Sequence, residues 1–339
     1  MKSKRTPFVV GTILVLLLFA ANLIFGSVVI PFREVLSVLF TGETSNPSWK
    51  IIMLESRIPS AITSMLCGAS LAVSGLLMQT LFRNPLAGPS ILGVNDGANL
   101  GVALVMFLSG GTIVSLAGYS AIIAAAIAGA SVILAIILFF SEKVSGNVML
   151  LIIGIMVGYI VSSFISILNY FAAADKVRQF VMWGMGNFSS VSMEHLPLMA
   201  IILITVLLCS FLLIKPLNAF LLGERYAANL GINIRRTRMM VFLSSGILAA
   251  VVTAYCGPVS FIGMAVPHIA RMLTNTADHR ILMPMTLIMG GVTALLCNLL
   301  TILPGSGTLL PLNAVTPLFG APVVIYVILK RRNRSDELQ

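Results

Sequence analysis

The chain has 339 residues, of which 58% are hydrophobic and only 9% charged, and its mean hydropathy is +1.04. Soluble domains carry about 25% charged residues, so a water-solvated globule is excluded. The net charge of +10 is spread over short segments between apolar runs, a distribution that argues against nucleic acid as a partner.

Lys2, Lys4 and Arg5 precede an apolar run from Pro7 to Ile30. It is too long for a secretory leader and reads as a first membrane span ended by Pro31. Residues 32–45 mix Phe32, Val35, Leu36 and Leu39 with Arg33, Glu34 and Glu43, the pattern of a short amphipathic surface helix. Further spans are expected at about 57–82, 96–108, 113–140, 148–171, 196–214, 239–255, 261–273, 281–303 and 312–329. A helix rises about 1.5 Å per residue and needs about twenty apolar residues to cross the hydrocarbon layer. The stretch Ile281 to Leu329 holds no Asp, Glu, Lys or Arg, and a turn at Pro304-Gly305-Ser306-Gly307 divides it into the last two spans. The expected architecture is all-α: one polytopic domain over residues 1–339, with ten transmembrane helices and both termini on one side.

Cations set the orientation of such a protein. With the termini in the cytoplasm, 16 of the 21 Lys and Arg lie on the inner side, and only Arg33, Lys50, Arg57, Lys176 and Arg178 lie outside. Membrane lipid is thus the first expected partner.

Two spans are interrupted in matching ways. Gly88-Pro89-Ser90-Ile91-Leu92-Gly93 precedes the third span, and Gly257-Pro258-Val259-Ser260-Phe261-Ile262-Gly263 precedes the eighth. Both hold a Gly-Pro, a Ser, two apolar residues and a Gly, at corresponding places in blocks of spans 2–5 and 7–10. One block starts outside and the other inside, so the expectation is two inverted four-helix repeats, a transporter signature.

Chemistry-bearing residues are sparse. Cys67, Cys209, Cys256 and Cys297 lie in apolar runs without metal-ligand spacing, and His195, His268 and His279 form no cluster. No metal site and no catalytic constellation is expected, which disfavours a membrane-embedded enzyme. Asp96, in Asn95-Asp96-Gly97, reads as a helix cap. So little intramembrane charge also disfavours an ion-coupled secondary transporter. With no GxxxxGK[ST] motif the chain offers no nucleotide-binding P-loop, and energy is expected to arrive from outside. The inner loop 215–238 is the longest and most basic, and its apolar stretch Leu217 to Gly231 reads as two short helical turns broken at Gly223 and Gly231. An exposed apolar helix of this kind should dock onto another protein, or lie on lipid headgroups with the help of Arg235, Arg236 and Arg238.

Several strings carry a family resemblance: Arg57-Ile58-Pro59, Gly68 to Gly75, Gln79 to Asn95 and Trp183-Gly184-Met185-Gly186. To these are added Leu222-Gly223-Glu224 with Ala227, Leu230-Gly231, and Phe261-Ile262-Gly263 with Pro267-His268-Ile269-Ala270-Arg271. Over about residues 50–330 the chain resembles the membrane subunits of ABC importers for iron chelates, haem and vitamin B12. The resemblance implies a homodimer in the bacterial cytoplasmic membrane, with two cytoplasmic ATPase subunits that bind ATP and Mg and an extracytoplasmic binding protein. The chain itself is expected to hold no cofactor. The loop carrying Leu222, Gly223, Glu224, Ala227, Leu230 and Gly231 would couple to the ATPases. Ser145, Gly146 and Asn147 fall at the family's cytoplasmic gate, and Gly158, Ser162, Ser166 and Asn169 would line the path. Arg57 is expected to dock the binding protein, although Ser60, Asn298, Ile302 and Leu310 stand where relatives often carry charge. An iron(III) siderophore is the first expected substrate, with cobalamin and haem as alternatives.

Overall fold

The computed structural model describes residues 5–42, 44–108, 116–144, 146–302 and 309–336. In chain order the helices are α1 (Thr6–Ile24), α2 (Phe32–Phe40), α3 (Pro47–Ile52), α4 (Ile58–Phe82), α5 (Val94–Leu108), α6 (Leu116–Lys143), α7 (Asn147–Phe171) and α8 (Ala174–Gly184). They continue as α9 (Leu196–Phe211), α10 (Ile214–Leu222), α11 (Glu224–Asn229), α12 (Ile234–Cys256), α13 (Ile262–Thr274), α14 (His279–Thr301) and α15 (Leu312–Asp336). Among the described residues the only extended pairing is one bridge between Ile302 and Leu309.

Six helices among the described residues are long and apolar enough to cross a membrane, and the bent pair α9–α10 makes a seventh candidate. Two expected spans are short: α5 has 15 residues and α13 has 13, or about 20 Å of helix each. Both are prolonged by the Gly-Pro segments ahead of them, which run as a 3₁₀ turn at Pro89–Leu92 and as irregular backbone over 257–261. Non-helical backbone at membrane depth persists only where protein satisfies it. Here Asn313 serves the second segment, donating from Nδ2 to Pro258 O (2.7 Å) and accepting from Ser260 N at Oδ1 (3.0 Å).

The core is built on α4. Its apolar window is 83% buried, against 17% for α1, so α4 is wrapped by protein while α1 shows most of its surface outward. Small residues permit this: an added Cβ on Gly68 would stand 2.3 Å from Gly290 O, and one on Gly75 1.7 Å from Gly263 O. Helices in lipid gain stability from such close backbone approach, because lipid tails match apolar side chains in polarity.

The packing has an internal symmetry. α4 lies on α14 and α12 lies on α6; α5 packs on α6 and α13 on α14; α4 meets α13 and α12 meets α5. The pairs α5–α7 and α13–α15 complete the correspondence. α4 and α12 run antiparallel, with Cys67 Sγ 3.6 Å from Cys256 Sγ at one end and the Phe82 and Phe242 rings 6.0 Å apart at the other. Midway, the Ser74 and Ser245 hydroxyls meet at 2.6 Å, and each also reaches the other residue's carbonyl, at 3.0 and 3.3 Å.

Several boundaries differ from expectation. The first span is helical only to Ile24, because the buried Arg57 guanidinium holds the carbonyls of Leu23, Ile24 and Val28 and turns the chain out of the helix. Asp96 lies within the first turn of α5, where its carboxylate suits the helix dipole. Helix α8, between the fifth and sixth spans, was not anticipated. The turn at 304–307 lies outside the described residues.

Candidate functional site

The inner loop is a built structure. After α9 the chain bends by 50° into α10. Gly223 (φ 122°, ψ 148°) then adopts a conformation that a side chain disfavours, and α11 follows at once. Gly231 (φ 80°) closes α11: its N–H donates to Ala228 O (2.9 Å), and that of Ile232 donates to Ala227 O (3.1 Å). These two bonds are a Schellman closure, satisfying carbonyls the helix end would leave open. Asn233 caps α12 by accepting from Arg236 N (2.9 Å).

Of the expected coupling residues, Ala227 is fully buried, whereas Leu222 and Leu230 are 65% and 58% exposed; Tyr226 beside them is 53% exposed. Tyr226 was not singled out in the sequence, though its position one residue before Ala227 was a signal. Glu224 meets Arg238 of α12 at 3.3 Å. A groove of about 660 Å³ opens here, lined by Arg83, Leu222, Gly223, Glu224, Tyr226 and Asn229.

Helix α10 is tied to two core helices. Asn218 Nδ2 donates to Asp278 Oδ1 (2.6 Å), and Asn218 Oδ1 accepts from His279 N (2.9 Å) and Nδ1 (2.8 Å). Because the Asn218 amide nitrogen faces the carboxylate, its oxygen faces the imidazole, which fixes the proton on Nδ1. His279 Nε2 lies 2.8 Å from the Thr80 hydroxyl, which also reaches Leu76 O at 2.9 Å. At the end of α10, Arg83 Nη2 donates to Phe220 O (2.8 Å). Asp278 is held below the usual carboxylate range, first by the Arg280 N–H it caps and then by Asn218. Nothing local in the sequence announces this arrangement beyond an Asp placed just before a helix.

The expected gate and path residues are partly scattered. Ser145 lies outside the described residues; Gly146 (φ 111°) is exposed, and Asn147 opens α7. Just before them, Glu142 pairs with Arg235 of α12 at 2.5 Å. Gly158 faces inward, where an added Cβ would stand 2.7 Å from Asp96 Oδ2; it allows α7 to cross α5 and is a packing residue within this chain. Ser162 and Ser166 are on the exposed side of α7, and Ser166 Oγ donates to Ser162 O (2.9 Å). Asn169 is half-buried, and its Oδ1 has no hydrogen-bond partner among the described residues.

At the other end of α4, Arg57 is only 7% exposed and its donors are turned onto backbone carbonyls. The structure gives it a role in shaping the chain after α1, not an open docking face. Beside it Asn298 Nδ2 donates to Asn22 Oδ1 (2.8 Å) and Ser60 Oγ (3.1 Å), and Ser60 Oγ lies 3.1 Å from Ser189 Oγ. These neutral groups border a cavity of about 270 Å³. Among the described residues, no group of three or more His, Cys, Asp or Glu could hold a metal.

This fold is that of an ABC transporter permease. A solved structure of a metal-chelate type ABC transporter, in an inward-facing conformation, superposes with a TM-score of 0.83 at 28% identity, covering 96% of this chain and 99% of that one. The chain belongs to the FecCD transport family, whose model matches residues 13–330. The vitamin B12 import system permease BtuC of Salmonella paratyphi A is 36% identical over 289 residues, 85% of this chain and 87% of the relative. BtuC of Klebsiella pneumoniae is 35% identical over 294 residues, 87% of each chain.

Proposed function

We propose that the chain is the membrane subunit of an importer powered by separate ATPase subunits, with two copies framing a path for a bulky metal chelate. Ten spans in two inverted blocks, both termini in the cytoplasm and residues 215–238 on the inner face fit the cation distribution and the antiparallel α4–α12 seam. A single observation carries the reading: an exposed apolar surface of Leu222, Tyr226 and Leu230 on a rigidly closed segment gripped by core helices. A motor pressing on α10 and α11 would move those helices as bodies and alternate access. Ser162 and Ser166 on the open side of α7 are the residues best placed to face the path.

Among chelates, the names of the relatives favour a corrinoid over the siderophore expected from the sequence. The test is uptake into proteoliposomes holding the permease, its ATPase and its binding protein, offered cyanocobalamin, a ferric siderophore or haem. ATP-dependent accumulation of cyanocobalamin alone supports the corrinoid reading. Accumulation of one of the others reassigns the substrate, and ATP-independent uptake overturns the importer reading.

A further inference from the structure

From the hydrogen bonds around His279 we infer that Asn218, His279 and Thr80 form the joint that passes motion from the coupling segment into the transmembrane core, an inference that rests on the reading of α10–α11 as the ATPase contact. Helix α11 is flanked by Gly223 and by the turn at Gly231, packs through the buried Ala227, and pairs Glu224 with the largely buried Arg238 at 3.3 Å. Helix α10 is held differently. Asn218 makes three bonds of 2.6–2.9 Å to the first residues of α14, and His279, only 1% exposed, extends them to the last turn of α4. A second tie, Arg83 to Phe220 O, fixes the far end of α10 to the residue that ends α4.

The helices so joined are not peripheral. α4 and α14 approach closely enough for Gly68 and Gly290 to touch backbone to backbone, and they come from the two different blocks of the fold. A force on α10 therefore reaches both blocks at one point. His279 and Thr80 are buried, and hydrogen-bonded buried polar groups are expensive to separate, so the joint should carry displacement instead of yielding. Asn218, His279 and Thr80 are positioning residues: they determine whether movement of α10 becomes movement of α4 and α14.

The experiment is hydrogen–deuterium exchange on the full permease–ATPase complex in nanodiscs, with and without ATP and vanadate, which needs no knowledge of the substrate. In the native complex, nucleotide should change exchange in α10 and also in peptides covering 76–83 and 279–284. Asn218→Ala should keep the change in α10 and lose the change in those two peptides by about fivefold, the ratio set by about 1 kcal/mol of lost hydrogen bonding. His279→Ala should do the same. The double variant Asn218→Asp with Asp278→Asn, which exchanges the two groups and keeps both an acceptor for His279 and an amide donor opposite it, should retain part of the response, and it serves if the Ala variants do not fold. An undiminished response at 76–83 and 279–284 in these variants would overturn the joint. Absence of any nucleotide effect on α10 in the native complex would instead overturn the coupling reading beneath it.

Discussion

Replacing Leu222, Tyr226 and Leu230 together by Ala isolates the docking surface from the fold. The three side chains are 65%, 53% and 58% exposed, so truncation removes little that the chain buries within itself. Full burial of a large apolar side chain contributes about 1.5–3 kcal/mol. Scaled by these exposures, a partner that covers all three gains about 3–5 kcal/mol, or about 10²- to 10⁴-fold in affinity. The assay is titration of detergent-solubilised permease with its ATPase, alongside a melting curve of the permease alone. The expected result is a weakening of that size with an unchanged melting temperature. Native affinity in the triple variant would refute docking at this surface. Ala227→Trp would be the wrong probe: Ala227 is fully buried, and Trp there would disrupt α11 itself.

Other outcomes follow from the packing and the charges. Gly75→Ala puts a methyl 1.7 Å from the Gly263 carbonyl oxygen. Two backbones must part, so a cost near the upper end of about 1–3 kcal/mol should appear as a clear drop in melting temperature; a native melting curve would contradict the crossing. Arg57→Gln strips the donors from three carbonyls and should destabilise the permease by on the order of 3 kcal/mol. The folded fraction should bind its binding protein as before, and selective loss of that binding would return Arg57 to the docking face. Asp278 has a depressed folded pKa, so its stabilising contribution is present above the ordinary carboxylate value and lost as pH falls through the folded value. The melting-temperature gap between native protein and Asp278→Asn should therefore stay constant from about pH 5 to 8 and close below about pH 4; a gap that varies near neutrality would argue against this assignment.

Much of the fold was readable because lipid imposes a simple rule on composition. The runs that became α6, α7, α12 and α14 stand out by length and lack of charge, and the Gly-Pro segments marked the two short helices. The breaks in the 215–238 segment were legible from its glycines, Gly223 and Gly231, whose positive φ values end α10 and α11. What escaped were consequences of tertiary contact. Nothing local distinguishes Asn218 from other loop amides, or tells that Ala227 is covered while Tyr226 is not. Arg57 was expected to dock a binding protein because the family resemblance implies it; its burial depends on carbonyls about thirty residues earlier in the chain. Gly158 reads as a pore residue by size and as a packing residue by neighbour. Only the placement of α5 decides between them.

The Ser74–Ser245 contact has a consequence for movement. It ties α4 to α12 midway along their antiparallel seam through two hydroxyls that each reach the other residue's carbonyl. The two helices can therefore tilt about that point more easily than slide along each other. A bulkier residue at either position would have to push the backbones apart, since both side chains are fully buried.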